Sequence, residues 1–173
     1  MSDETNANTA GDAGEGERSG GGESAADDSG GRKHVLVPLD GSEQSDAALQ
    51  YVLDELEGAR VTLLHVINPA QAGYGAQAGI PTSAEEWLEE AEAEAEELFA
   101  AAREQAEGYD IDIETATEVG NPARIIVEST EERDDIDHVV MGSHGRSGLS
   151  RVLLGSVAET VVRRSTVPVT VVR

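Results

Sequence analysis

The chain has no cysteine, one phenylalanine, one tryptophan and one lysine in 173 residues. Without cysteine it forms no disulfide, holds no zinc through thiolates and performs no thiol chemistry. The lysine-dependent phosphate loop GxxxxGK[ST] is excluded as well, because the only lysine is Lys33. No apolar run approaches the roughly 18 residues that span a bilayer. Bases are scarce throughout, with 12 Lys and Arg against 35 Asp and Glu and a formal net charge of −23. Such a chain repels nucleic acid and anionic membranes, so neither is an expected partner. The expectation is a soluble cytoplasmic protein.

What is present divides the chain in two. Residues 1–31 hold eight glycines, eight acids and one base, with no Ile, Leu, Val or aromatic residue. They cannot bury enough apolar surface to offset chain entropy, which predicts a disordered acidic tail. They also lack the basic start and apolar stretch of a signal peptide. Residues 32–173 form the single expected domain and remain strongly acidic, with arginine replacing lysine almost completely. This composition points to a halophile's protein, because at about 1 M salt the Debye length falls to about 3 Å and surface carboxylates no longer repel one another.

The most informative segment runs from Val139 to Val157, VVMGSHGRSGLSRVLLGSV. An apolar strand leads into a glycine-rich turn, and Gly155-Ser156 then opens an amphipathic helix. Glycines let main-chain N–H groups approach an anion, and a helix start adds unpaired donors and about +0.5 of an elementary charge. Gly142, Gly145 and Gly148 do not match the dinucleotide fingerprint GxGxxG. MGSHGRSG followed by LLGSVAETVVRRSTVPVTVVR resembles the closing segment of the universal stress protein family, in its ATP-binding branch. HVLVPLDGSEQSDAAL is similar to that family's first strand and loop. The resemblance covers roughly Lys33 to Arg173 and is weakest across Asn68 to Ser83.

The order of elements agrees with it. His34 to Leu39 reads as a buried strand, followed by a helix capped by Ser42 and Ser45 and running to about Glu57, with Ala47, Ala48, Tyr51 and Leu56 inward. Val61 to Ile67 is a second strand, stopped by Pro69. Asn68 to Ser83 is a long loop, either a lid or an ordinary connection. A helix over Ala84 to Glu107 turns Leu88, Ala91, Ala95, Leu98 and Ala102 to the core. Ile111 to Thr117 alternates like a strand near a sheet edge. Asn121-Pro122 starts a helix that turns Ile125, Ile126 and Ser129 inward. Ile136 to Met141 and Val167 to Val172 complete a five-stranded set. The expected fold is α/β, a Rossmann-like doubly wound parallel sheet in the order 3-2-1-4-5 with helices on both faces. Ligands of such sheets bind at the switch point, here between the first and fourth strands.

The resemblance implies ATP, with Mg²⁺, in that crevice. Asp40 would contact the ribose or the metal. Pro38 and Val66 would pack the adenine, with Val66 offering backbone groups to the base edge. Gly142, Gly145, Gly155 and Ser156 would take the phosphates, flanked by Met141 and Val157, and Arg146 would supply a cation. His144 stands beside the phosphates, where loop packing is the expected role. His34, His65 and His138 share no ligand spacing, and no metal site is assigned to them. The function expected is a regulatory protein that holds ATP, hydrolysing it weakly at most. The alternatives are a slow ATPase or phosphotransferase, and a nucleotide-independent dimeric interaction module. By resemblance, subunits would pair through the last strand.

Overall fold

Short segments rich in β-branched residues alternate with helix-forming segments and become strands of four to eight residues, because branched side chains fit a pleated surface. The computed structural model describes residues 31–71, 83–145 and 154–173. The elements are β1 (His34–Pro38), α1 (Glu43–Glu55), β2 (Arg60–Ile67), a 3₁₀ turn (Pro69–Gln71), α2 (Ala84–Gln105), β3 (Asp112–Val119), α3 (Pro122–Glu132), β4 (His138–Gly142), α4 (Ser156–Arg164) and β5 (Val169–Val172). The sheet has the order β3-β2-β1-β4-β5 with every pairing parallel, as the sequence predicts. The expected disordered tail, Gly31 apart, and residues 72–82 of the expected loop lie outside the described residues.

Two apolar layers cover the sheet. On one face Leu49, Val52 and Leu53 of α1 and Ala95, Phe99 and Ala102 of α2 meet Val35, Val37, Val61, Leu63 and Val140. On the other, Ile126 and Val127 of α3 and Ala158 and Val161 of α4 meet Leu36, Leu64, Val139 and Met141. Several inward faces differ from the sequence expectation. In α1 the buried set is Ser45, Ala48, Leu49, Val52 and Leu53, while Tyr51 is 37% exposed. Alanines on two sides of this helix blur its stripe, and the branched side chains set its phase. In α2 only Ala95, Phe99 and Ala102 are buried; Leu88, Ala91 and Leu98 are half-buried. In α3 the inward face is Ile126, Val127 and Thr130, with Ile125 and Ser129 half-buried at its margin.

Element ends follow local chemistry. Ser42, Ser83 and Asn121 cap α1, α2 and α3 by accepting backbone N–H groups at 3.2, 3.1 and 3.1 Å. α1 ends two residues before the expected Glu57, and Gly58 then turns with a φ of 75°. β4 begins at His138 rather than Ile136, whose N–H closes a turn onto the Arg133 carbonyl at 3.2 Å. β3 runs on to Val119, because β2 offers pairing partners as far as Ile67. β5 starts after Pro168 and is half-buried along its length. Among the described residues no helix is long and apolar enough to cross a membrane.

Candidate functional site

The crevice originates in a missing hydrogen-bond donor. β1 and β4 pair at Val35 with His138 and at Leu36 with Val139, and no further, although both strands continue. Leu39 donates its N–H to the Leu64 carbonyl of β2 at 2.8 Å, so strand alternation turns the preceding residue, Pro38, toward β4. Proline has no N–H to give there, and the next rung cannot form. β4 meanwhile remains paired with β5 up to Gly142 and Val172. The two central strands therefore part at their carboxyl ends, at the switch point of the sheet.

Asp40 stands on one wall. Gly41 takes a φ of 72°, which folds the chain back so that Asp40 Oδ1 accepts the Ser42 N–H at 3.1 Å and the Ser42 hydroxyl at 2.5 Å. Ser42 is also the cap of α1, so the carboxylate is fixed to a helix start. Its other oxygen, Oδ2, lies against Gly145 on the facing loop, where a Cβ would overlap it. The absence of a side chain at Gly145 is what permits this approach. Asp40 and Gly145, distant in the chain, meet across the crevice.

The other wall is built by Ser143 and Gly155. Ser143 donates its N–H to the Val172 carbonyl at 2.7 Å, and its own carbonyl accepts the Gly155 N–H at 2.8 Å. This ties the start of α4 to the end of β4. A Cβ on Gly155 would stand 3.3 Å from that carbonyl and 3.5 Å from His144 Cα. Unlike the other three described helices, α4 has no side chain capping its first turn. Gly155 commits its N–H to the Ser143 carbonyl, so the first-turn amides that have no acceptor within the helix begin at Ser156, which is exposed, and Val157, which is half-buried against the second core.

Other expected site residues have different local duties. Gly142 faces α1: a Cβ there would stand 2.8 Å from the backbone carbon and from Cβ of Gln44, so helix packing alone requires this glycine. Met141 is 4% exposed and belongs to the second core. His144 is half-buried, with Nδ1 3.0 Å from the Ser143 hydroxyl. Pro38 and Val66 are half-buried at the crevice ends of β1 and β2. Arg146 lies outside the described residues.

Sequence reasoning treated Ser42 only as a helix cap, found no base to activate Ser143, and gave His65 no role beyond its strand position. His65 Nδ1 bonds the Leu39 carbonyl at 2.8 Å, immediately before Asp40. The Asp-Gly-Ser order at Asp40 was a signal for the first, since Asx turns take this form. The second and third depend on contacts between distant segments of the chain, which have no local signature.

The opposite, amino end of the sheet carries an ionic cluster. His34 is 2% exposed, with its ring between Asp135 Oδ2 at 3.0 Å and Thr62 Oγ1 at 2.7 Å. The Arg60 guanidinium, 2.5 Å from Glu114, holds that carboxyl below its ordinary value, and the Arg133 hydrogen bond does the same for Asp135. His138 bonds Thr170 Oγ1 at 2.9 Å, and burial pushes its pKa down, reinforced by the charge of Lys33. These groups neutralise one another and leave the crevice end to Asp40 and the α4 start.

Comparison with known proteins agrees with this fold. Residues 31–173 match the model of the universal stress protein family. Universal stress protein MJ0577 of Methanocaldococcus jannaschii is 32% identical over 154 residues, covering 82% of this chain and 94% of its own. Its solved structure superposes with a TM-score of 0.68, over 81% of this chain and 94% of that one. Universal stress protein YxiE of Bacillus subtilis is 32% identical over 80% of this chain and 97% of its own. A universal stress protein solved in complex with cAMP is 26% identical, with a TM-score of 0.53 over 82% of this chain and 97% of that one. By its matched sequence and its sheet order, the chain belongs to the universal stress protein family.

Proposed function

We propose that this protein holds ATP, with Mg²⁺, between the carboxyl ends of β1 and β4, and that the bound nucleotide sets its conformation or choice of partner. The observation that carries the reading is the meeting of Asp40 with Gly145 beside the uncapped start of α4. A carboxylate only accepts hydrogen bonds and repels phosphate, so Asp40 suits ribose hydroxyls or a metal ion. Mg²⁺ is typically held by one or two carboxylates together with substrate phosphates, which fits Asp40 across the crevice from Gly145. Val66 turns its backbone N–H and carbonyl to the β1 side and would meet the base edge, with Pro38 against the ring. The loop from Gly142 to Arg146 and the amides at Ser156 and Val157 would take the phosphates, and the relative bound to cAMP supports a nucleotide in this fold.

The contact of the Ser143 hydroxyl with His144 favours a second reading, a slow ATPase or phosphotransferase. A nucleophile there would need exposure, and Ser143 is 3% exposed. Holding is therefore the better reading. The half-buried β5 edge supports a homodimer through the last strand, in place of an unpaired edge. We place the protein in the cytoplasm of a halophile from its acidic composition.

The test is to purify the protein in high salt, denature it and identify released nucleotide by chromatography. Wild type should release ATP or its products, and Gly155→Val should release none, since the branched side chain would press on Ser143 and His144. Equal nucleotide in both proteins would mean the phosphates bind elsewhere.

A further inference from the structure

The backbone ladder between β1 and β2 stops one rung short of the crevice. Pro38 pairs with Leu64, and the Leu39 N–H donates to the Leu64 carbonyl at 2.8 Å. In a parallel ladder the next rung would run from the Val66 N–H to the Leu39 carbonyl. Among the described residues that bond is not made. The Leu39 carbonyl is taken instead by His65 Nδ1, also at 2.8 Å. A carbonyl only accepts, so Nδ1 carries the proton, and the neutral ring is the Nδ1–H tautomer.

We propose that His65 is a positioning residue of the nucleotide site: its imidazole substitutes for the closing rung and so keeps the Val66 backbone turned to the crevice and the Leu39-Asp40 turn in place. The proposal rests on the nucleotide reading above for its consequence, although the substitution itself concerns the protein without ligand. His65 lies on the face of β2 shared with Leu63, while Val66 lies on the face shared with Leu64. The ring therefore reaches over the strand end from one face and leaves the other open for a base. The same bond fixes the peptide just before Asp40, whose carboxylate already depends on Ser42 and Gly145 for its direction. Losing the imidazole donor releases the Leu39 carbonyl to the Val66 amide, the strands zip one rung further, and the base edge loses its partner.

The experiment compares wild type with His65→Phe, which keeps the ring volume without a donor, and His65→Asn, which places an amide donor near Nδ1. In nucleotide-free protein, NMR hydrogen exchange at the Val66 amide should slow by about tenfold in His65→Phe, the size expected for one new net hydrogen bond. Loss of ordinary packing would instead speed that exchange. ATP binding by calorimetry should weaken by about tenfold in the same variant and return to near the wild-type value in His65→Asn. Nitrogen chemical shifts of the wild-type ring should report Nδ1–H. Unchanged or faster Val66 exchange, or an Nε2–H ring, would overturn the positioning role even if ATP binds. Wild-type protein that binds no ATP would overturn the nucleotide reading and the role in binding together, while slowed exchange would still mark the replaced rung.

Discussion

Gly142→Ala separates a glycine kept for helix packing from one that leaves room for the Asp40 carboxylate. The new Cβ would stand 2.8 Å from the backbone carbon and from Cβ of Gln44, and 2.9 Å from its carbonyl oxygen, against 3.4 Å or more in ordinary contact. Two of these three atoms are backbone, in the first turn of α1, where Ser42 caps the helix and where Ala48, Leu49 and Val52 lock it to the sheet. No side chain can swing aside, so α1 or β4 must shift by several tenths of an ångström. Overpacking of this kind costs about 1–3 kcal/mol. In a domain of this size that lowers the melting temperature by roughly 2–12 °C. Thermal denaturation followed by circular dichroism in high salt measures it. Gly145→Ala is the control: its Cβ meets the Asp40 carboxylate on an exposed loop, so its melting temperature should stay near wild type while nucleotide is lost. A melt for Gly142→Ala within about 1 °C of wild type would refute the packing argument.

Acid should destabilise the protein in two stages. His138 has a folded pKa below its ordinary 6.5, so protonation opposes folding and stability declines as pH falls below that value. Asp135 and Glu114 have folded pKa values below their ordinary 3.8 and 4.5, so their contribution is present above those values and is lost as pH falls through the lower folded ones. Asp135→Asn should flatten the acid limb of melting temperature against pH, by about 1–4 °C given that these pairs are partly exposed. An acid limb unchanged by this substitution would remove the Arg133–Asp135 pair from the account. Salt should act in the opposite sense: melting temperature should rise between about 0.1 M and about 2 M KCl as carboxylate repulsion is screened. A flat response would contradict the halophile reading.

The sequence alone determined the succession of strands and helices and the helix starts at Ser42 and Asn121, because each has a local signature, while the sheet order and the facing of the two loops were expected from the resemblance to the family. Short apolar runs bury themselves, capping side chains bond amides three residues away, and alternating strands and helices favour parallel pairing. The phase of α1 was less legible, since alanine lies on more than one of its sides and burial was decided by Leu49, Val52 and Leu53 packing on β1 and β4. Only the tertiary structure divided the glycines by cause, placing Gly142 against Gln44 and Gly145 against Asp40. Spacing cannot distinguish these, because a glycine records the absence of a side chain and not what occupies its place. The partners of His65 and Ser143 were hidden for the same reason: Leu39, Val172 and Gly155 come close to them only after distant segments have paired. What opens the crevice required both, since Pro38 is written in the sequence but the strand that misses its N–H is chosen by the fold.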